Sequence, residues 1–449
     1  MGQRNRYIQS FTTLCLLGVL STNAFFTIPT TTRPPSFLYS TTAPDTALPD
    51  PSTLTGIGDA DRAIRHGMSL EANGLFRTAH AAYHEAATLY QCYLDSPTDD
   101  SEFGHVTDLQ PSSHVSNSDS SNRNSCDAFL AYACTRLAHL SYNALGDPKA
   151  ATRLYRDAVR IDPNPSAISF DGIGRSIEAS TGGKDLEPAV TAYRQALELG
   201  DSTGEMRFHL AVALERLGKT KEADEMLEEL RRSEMNLASL VDSWGYVRWH
   251  SRRVDNEDLN LYLGSRSMLQ IGIEAAMDLV EQDKGLVCEF GVASGRSLRM
   301  IQEVLPLDTP LHGFDTFLGL PMAWGNLAAG AYSTGGALPN MEGDVHFHRG
   351  LFTDTIPDFL NSSKEEYQPL AFANIDCAMY TSTLHILEAM HSRVVPGTVF
   401  IFADYLCHST WRQDEFRAWR ECCKRFGWQY EYLGFSFETK QAVIRVTSA

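Results

Sequence analysis

The pattern of apolar and polar residues divides the chain into two parts. Over 59–232, apolar residues recur three and four positions apart, which is the spacing of one face of a helix. From 286 onwards, short apolar runs alternate with stretches of helical spacing. The first of these runs, 286–290, is followed by a glycine-bearing turn and then by the helical pattern 298–305. The pattern predicts an N-terminal helical part followed by an α/β domain with an open sheet.

The helical part contains a recurring pattern of small residues. Glycine or a bulky residue occurs at constant offsets from four alanines, namely Ala79, Ala151, Ala189 and Ala223. The last two units are about 34 residues apart, which is the period of tetratricopeptide repeats, where small residues let paired helices pack closely. We therefore predict tetratricopeptide-like repeats over 57–235, with a plain amphipathic bundle as the alternative. Such an array either offers a surface to a protein partner or packs against the second part.

Two segments interrupt or border the repeats. The segment 95–127 is dense in Ser, Asp and Asn and has no apolar periodicity, so it is predicted to be a disordered insertion. The segment 236–264 contains four large aromatic side chains, Trp244, Tyr246, Trp249 and Tyr262. Because such a segment is too aromatic for a free linker, we predict that it connects the two parts by docking against both.

The first 56 residues have the composition of targeting sequences. A signal peptide is predicted over 1–26, where Arg4 and Arg6 precede an apolar run too short to span a bilayer comfortably. A transit-like, disordered segment is predicted over 27–56, which is rich in Ser, Thr and Pro. Together they resemble the bipartite presequences of algae with complex plastids, and secretion or an endomembrane lumen is the alternative. No stable membrane insertion is expected of the mature chain.

Composition and charge exclude several classes of function. The chain has 449 residues, of which 43% are hydrophobic and 21% charged, so it can form two or three globular domains. Its formal net charge of −18 argues against nucleic-acid binding, because contacts to phosphates need a basic face. The nine cysteines show no repeated Cys-x-x-Cys spacing that would indicate zinc. We interpret most of them as buried small hydrophobes in a reducing compartment.

The candidate chemistry begins where the first strand ends. Glu289 is followed by Gly291 and Gly295, and ligands of open α/β sheets bind outside the carboxyl ends of the strands. Glycines let ligand atoms approach the main chain, and a carboxylate can accept hydrogen bonds from a ligand. A second strand over 311–315 ends at Asp315, a little over twenty residues after Gly291, where a carboxylate can reach ribose hydroxyls. This order predicts a nucleoside-binding half, with a plain tight turn as the alternative.

Four motifs in succession resemble one protein family. They are Glu289–Val292 with Gly295 and Ser297, Gly313–Pro321 with Trp324, Gly350–Pro357, and Asn374–Thr383. In this order they resemble class I S-adenosylmethionine-dependent methyltransferases of the macrocin O-methyltransferase-like group, from about Asn260 to the C-terminus. The resemblance implies a Rossmann-like seven-stranded domain over 265–449 that ends in an antiparallel strand pair. It also implies S-adenosylmethionine as the cofactor.

The resemblance assigns roles to residues at the strand ends. Those implied to bind the cofactor are Glu289, Gly291, Gly295, Ser297, Asp315, Gly350 and Asp376. Asp376 and Asp404, after the fourth and fifth strands, are the candidate catalytic residues. Methyl transfer is an in-line displacement that requires removal of the hydroxyl proton, and an acid can act there as a base or as a ligand of a divalent ion. For Asp376, capping of the following helix is the alternative.

Two positions depart from the family pattern. Family members usually carry acids where this chain has Ala378 and Ala403. Since Mg²⁺ needs several oxygen ligands, this loss argues against a metal held by Asp376 and Asp404. The predicted function is methyl transfer to a hydroxyl of a small acceptor such as a sugar, polyketide or phenol. A catalytically inactive interaction scaffold is the main alternative, and a nicotinamide-dependent oxidoreductase is less well supported by the glycine spacing.

The second strand is followed by a long glycine-rich loop. It runs over 319–339 and contains Trp324 and Tyr332. A long loop with aromatic residues above a ligand cleft is typical of a lid or a substrate wall.

Overall fold

A computed structural model describes residues 58–95, 118–162, 164–200, 204–233, 235–251, 260–282, 284–362 and 367–449. The predicted signal peptide (1–26), the transit-like segment (27–56) and residues 96–117 of the predicted insertion lie outside the described residues. None of the helices that the structure describes is long and apolar enough to span a membrane.

The N-terminal part consists of helices that each pack against the next one along the chain. In order they are α1 (Gly58–Ala72), α2 (Phe76–Asp95), α3 (Ser118–Asn143), α4 (Pro148–Ile161), α5 (Ala167–Thr181), α6 (Leu186–Leu199), α7 (Glu205–Arg216), α8 (Thr220–Arg231) and α9 (Met235–Ser251). The four alanines of the repeated pattern are all fully buried between helices. Small residues therefore lie where neighbouring helices approach most closely, as the pattern predicted.

The predicted disordered insertion is too long at its C-terminal end. Helix α3 begins at Ser118, so residues 118–127 are helical although their sequence is rich in Ser, Asp and Asn. Further along the same helix, Phe129 is buried and stacks on Tyr90 of α2 with 5.6 Å between ring centroids. Tertiary packing of the later turns thus supports a helix whose first turns have low intrinsic propensity.

The C-terminal part alternates helices and strands. The elements are α10 (Ser265–Gln282), β1 (Leu286–Phe290), α11 (Arg296–Val304), β2 (Leu311–Asp315), β3 (Val345–Arg349), α12 (Phe352–Ser362), β4 (Leu370–Ile375), α13 (Tyr380–Met390), β5 (Val399–Phe402), α14 (Glu415–Phe426), β6 (Gln429–Phe435) and β7 (Ala442–Ser448). Within the described residues they form a seven-stranded sheet of order β3-β2-β1-β4-β5-β7-β6. Strands β1 to β5 are parallel, whereas β7 runs antiparallel to both β5 and β6. The predicted Rossmann-like sheet with an antiparallel closing pair is confirmed.

The central strands place the candidate site at one edge of the sheet. Every residue of β1, β4 and β5 is buried, as expected for parallel strands that are covered on both faces. Glu289 lies opposite Gly313 of β2 on one side and Asn374 of β4 on the other. The carboxyl ends of the first, second and fourth strands therefore meet at the same edge, which is where open α/β sheets bind ligands.

The segment before α10 joins the two parts of the chain. The main-chain N–H of Phe437 donates to the carbonyl oxygen of Leu261 at 2.8 Å, and the Trp244 ring lies 6.2 Å from the Phe437 ring. Nearby, a buried ion pair links Arg175 of the helical part to Glu438 of the turn between β6 and β7. The helical array is thus packed directly against the α/β domain.

Candidate active site

The turn after β1 has a strained main chain. Gly291 and Gly295 have φ values of +97° and +75°, and Ala293 between them has φ +44°. A Cβ on Gly291 would collide with the main-chain oxygen of Asp376, and one on Gly295 would lie 2.8 Å from Pro339. Side chains are therefore excluded at both glycines by neighbouring protein atoms as well as by φ. The sequence had suggested close approach of a ligand as the reason for these glycines, with a plain tight turn as the alternative.

Asp315 connects the end of β2 to this turn. Its Oδ2 accepts hydrogen bonds from the main-chain N–H groups of Val292 (2.8 Å) and Ala293 (2.7 Å). Its Oδ1 accepts from the N–H of Phe317 at 2.7 Å. The carboxylate therefore holds the glycine turn in place through two of its main-chain donors, and the third donor fixes the start of the loop after β2. Its predicted contact with ribose stays a prediction.

Glu289 lies beneath the turn and is fully buried. Its Oε1 accepts a hydrogen bond from Nδ2 of Asn374 at 2.7 Å, whereas Oε2 has no hydrogen-bond partner among the described residues. Burial raises the pKa of Glu289 to about 8, although hydrogen bonds from Ser297 and Asn374 oppose the rise. Glu289 thus links β1 to β4 in the interior. The predicted contact of Glu289 and Ser297 with a cofactor stays a prediction.

Gly350 joins the ends of the second and third strands. Its N–H donates to the main-chain oxygen of Asp315 at 3.0 Å, just as the N–H of Gly291 donates to the oxygen of Phe314 at 2.9 Å. The predicted cofactor-binding residues of β1, β2 and β3 are therefore connected through main-chain hydrogen bonds along one edge of the sheet.

The two candidate catalytic acids follow neighbouring strands. Asp376 comes directly after β4 and is half-buried, whereas Asp404 comes two residues after β5 and is only 6% exposed. Burial raises the pKa of Asp376 to about 6, and the nearby Arg296 opposes the rise. Burial and the charge of Asp376 raise the pKa of Asp404 to about 7, with Lys440 opposing. The structure thus brings together two acids that change protonation near neutral pH.

A third buried acid, Glu415, was not predicted. It is the first residue of α14 and fully buried, and its Oε2 accepts a hydrogen bond from the main-chain N–H of Asp404 at 2.9 Å. The main-chain N–H of Ala378 also lies near this carboxyl and opposes the rise in its pKa. Burial and the charges of Asp404 and Asp376 raise the pKa of Glu415 well above its ordinary value. In the sequence it looks like an acid in the first turn of a helix, which is a common surface feature.

The residues present do not fit a Mg²⁺ site. Ala378 and Ala403 are both buried at the positions where the family pattern has acids. Among the described residues, no group of three His, Cys, Asp or Glu side chains has an arrangement that could hold a metal ion. Without acids at these two positions, much of the negative charge that would hold Mg²⁺ beside Asp376 and Asp404 is missing.

The loop between β2 and β3 packs over the ends of β4 and β5. Trp324 is buried with Leu327 against Ala378 and Met379, and its Nε1 donates to Oδ2 of Asp414 at 3.2 Å. Tyr332 of the same loop is 45% exposed. Burial and the charges of Asp404 and Asp376 raise the pKa of the Tyr332 phenol, so its hydroxyl lies near both acids. This placement suits the predicted lid or substrate wall.

The rim of the site remains open to solvent. Ala293, Ser294, Arg296, Asp315 and Asp376 are all partly exposed, although the strands behind them are buried. The strand ends are therefore accessible, and the rim combines main-chain groups of the glycine turn with one cation and two acids. This combination fits a nucleoside ligand that also carries charged groups.

Comparison with known families supports both parts of the chain. Residues 338–426 match the family model described as macrocin-O-methyltransferase (TylF), and residues 131–165 match a tetratricopeptide repeat model. The predicted resemblances of the C-terminal and N-terminal parts are confirmed over these ranges. No curated protein sequence matches the chain.

Several solved structures are similar to about half of the chain. The calicheamicin methyltransferase CalS11 is 19% identical, with 50% of this chain and 93% of that chain covered at a TM-score of 0.32. The O-methyltransferase NovP is 20% identical, with 44% and 88% covered at a TM-score of 0.32. The O-methyltransferase TomG from Streptomyces achromogenes is 15% identical, with 46% and 90% covered at a TM-score of 0.26.

Proposed function

We propose that this chain, whose C-terminal domain is an S-adenosylmethionine-dependent methyltransferase domain of the macrocin O-methyltransferase type, methylates a hydroxyl of a small acceptor. The acceptor class is a sugar, a polyketide or a phenol. The observation that supports the proposal best is the acid pair of the half-buried Asp376 and the buried Asp404, which follow adjacent strands. Their raised pKa values of about 6 and 7 suit a group that must accept a proton near neutral pH.

The two acids differ in position relative to the glycine turn. The main-chain oxygen of Asp376 packs against Gly291, and Arg296 of the cofactor side lies near its carboxyl. Asp404 lies one strand further from the turn, two residues after β5. We therefore assign Asp376 to the boundary between cofactor and acceptor, and Asp404 to the acceptor side as the base.

Methyl transfer follows from this assignment. S-adenosylmethionine supplies a methyl group bonded to a positively charged sulfur. Asp404 takes the proton of the acceptor hydroxyl while the hydroxyl oxygen forms its bond to the methyl carbon and the carbon–sulfur bond breaks in line. Asp315 keeps the glycine turn in the shape that receives the cofactor. The exposed ring of Tyr332 can pack against a sugar or aromatic ring of the acceptor.

A second candidate function is an interaction scaffold without catalysis. Ala378 and Ala403 favour it, because a chain that no longer needs cation-dependent chemistry can lose those acids without harm. The intact acid pair with its raised pKa values favours the enzyme instead.

The test compares wild type with Asp404→Asn. Transfer of a labelled methyl group from S-adenosylmethionine is measured against a panel of sugars, polyketides and phenols. We expect the wild-type rate to rise with pH through about 7, as Asp404 becomes ionised. Asp404→Asn should reduce the rate about 100-fold or more, because general-base catalysis contributes that much. Binding of S-adenosylhomocysteine, measured by calorimetry, should be unchanged.

Asp358→Asn serves as the control, because Asp358 is an exposed acid of the same domain in α12. It should leave both rate and binding at wild-type values. A wild-type protein that binds S-adenosylhomocysteine but methylates no acceptor would favour the scaffold. Equal rates for Asp404→Asn and Asp358→Asn would show that Asp404 is not the base.

A further inference from the structure

The turn between α1 and α2 contacts the helix that follows the glycine turn. Gly74 has φ +72°, and a Cβ added to it would lie 3.2 Å from Cα of Arg296 and 3.3 Å from Nη1 of Arg299. Arg296 is the first residue of α11. The main chain of the helical array therefore touches the main chain of the first turn of α11, with no side chain of residue 74 between them.

The same repeat also holds the other end of α11. Arg77 of α2 donates two hydrogen bonds to Glu303, from Nε to Oε1 at 3.0 Å and from Nη2 to Oε2 at 2.9 Å. Arg266 of α10 pairs with the same carboxylate. One helix pair of the array thus contacts both ends of a nine-residue helix.

Arg299 transmits this contact to the glycine turn. Its Nη1 donates to the main-chain oxygen of Ser294 at 2.9 Å, and its Nη2 donates to the oxygen of Asn340 at 3.2 Å. Ser294 lies within the turn, and Asn340 belongs to the loop before β3. Any shift of Arg299 by a larger residue at Gly74 would therefore change the turn and the loop together.

This contact is not a general property of the repeat turns. Gly146 and Gly218 occupy the positions that correspond to Gly74 in other repeats, with φ values of +70° and +78°. A Cβ on Gly146 would lie 3.4 Å from Oγ of Ser267 in α10, whereas one on Gly218 would meet no atom within 4 Å. A side chain at Gly74 or Gly146 would thus face the α/β domain, whereas one at Gly218 would enter open space.

We propose that the first helix pair of the array, α1 and α2, shapes the cofactor site. In this proposal, Gly74 and Arg77 position α11 and the glycine turn. Both are positioning residues, because neither reaches the strand ends. The inference rests on the proposed function for the identity of the ligand. The array then determines how tightly the domain binds its cofactor.

The test compares Gly74→Ala with Gly218→Ala in the full chain. Both substitutions place an alanine at a left-handed main chain, so both carry the same backbone strain. Only the alanine at residue 74 also presses on α11. We expect Gly74→Ala to bind S-adenosylhomocysteine about 10-fold more weakly than Gly218→Ala in calorimetry. Amide hydrogen exchange over residues 292–299 should be faster in Gly74→Ala, while the two melting temperatures remain similar.

A second pair of variants covers the case that Gly74→Ala does not fold. Arg77→Ala removes the ion pair to Glu303, and Arg194→Ala removes a pair to Glu222 within the array. The two pairs have comparable side-chain exposure, 65% and 35% against 48% and 38%. We expect Arg77→Ala to weaken binding about 2-fold to 3-fold, which is the range for an exposed ion pair, and Arg194→Ala to leave it unchanged.

Equal affinity and equal exchange for the two glycine variants, with no effect of Arg77→Ala, would overturn the proposal. A wild-type protein that does not bind S-adenosylhomocysteine would contradict the proposed function instead. Exchange over residues 292–299 then still decides the positioning role: faster exchange in Gly74→Ala supports it, and unchanged exchange overturns it.

Discussion

Carboxylates have different roles in the two halves of the sheet edge where the strands end. In the cofactor half, formed by β1 to β3, the carboxylate of Asp315 accepts hydrogen bonds from three main-chain N–H groups. In the acceptor half, formed by β4 and β5, the half-buried Asp376 lies near the buried Asp404 and Glu415, and the pKa values of all three are raised. A carboxylate at a strand end thus serves as a structural anchor in one half and as a titratable group in the other.

The difference follows from what surrounds each carboxyl. Main-chain donors stabilise the charged form, whereas burial beside other acids favours the neutral form. A nearby cation does not explain the difference between the two halves, because a basic side chain lies near the acids in each of them. At Asp315 the N–H donors make the carboxyl an anchor of the main chain, whereas burial and neighbouring acids raise the pKa values of Asp376 and Asp404.

The largest effect is expected at Glu289, a buried acid of the cofactor half with few donors. Its folded pKa of about 8 exceeds its ordinary value of 4.5, so the fold favours the neutral form. The stability that depends on protonation is present at pH 4 and is lost as pH rises through about 8. Glutamine cannot ionise, so Glu289→Gln does not lose this stability at high pH. We expect the variant to be about 3 to 5 kcal/mol more stable than wild type at pH 9.

Chemical denaturation at pH 4 and pH 9 measures this difference. At pH 4 the variant and wild type should differ little, since Glu289 is then neutral in both folded and unfolded chains. If the difference in unfolding free energy between the variant and wild type is the same at pH 4 and pH 9, the fold does not raise the pKa of Glu289. Glu289 would then not be an exception among the acids of the cofactor half.

The next effect concerns Asp315. Asp315→Ala leaves the N–H groups of Val292, Ala293 and Phe317 without their acceptor, so the glycine turn loses its shape. We expect S-adenosylhomocysteine to bind about 100-fold more weakly in calorimetry, as two or three lost hydrogen bonds would give. Asp315→Asn keeps one acceptor oxygen and should fall between alanine and wild type. Unchanged affinity in Asp315→Ala would contradict the anchoring role.

The smallest effect is expected at Glu415. Glu415→Ala leaves the buried N–H of Asp404 without its acceptor and should lower the free energy of unfolding by about 1 to 2 kcal/mol. Glu415→Gln keeps an acceptor oxygen and a neutral side chain, the form that burial favours at this position. It should therefore restore both stability and the pH dependence of methyl transfer. Equal loss in Ala and Gln variants, measured by denaturation, would show that a charged Glu415 is needed.

The sequence predicted the positions of the site better than its contacts. Asp315, Asp376 and Asp404 follow buried apolar runs, and a run of that kind ends where a parallel strand reaches the edge of the sheet. The three donors to Asp315 are main-chain groups, and residue types in a sequence do not indicate where such donors lie. Glu415 was missed because only tertiary packing turns an acid of a first helical turn into a buried one. The helical start of α3 at Ser118 was missed for the same reason.

The main chain at Ala378 has one further consequence. Its φ of +59° is a conformation that aspartate adopts more readily than alanine does. Its N–H lies near the carboxyl of Glu415. An aspartate at this position would therefore suit the main chain of the loop, and it would return a carboxylate to the place between β4 and α13 from which this chain could begin to acquire cation-dependent catalysis.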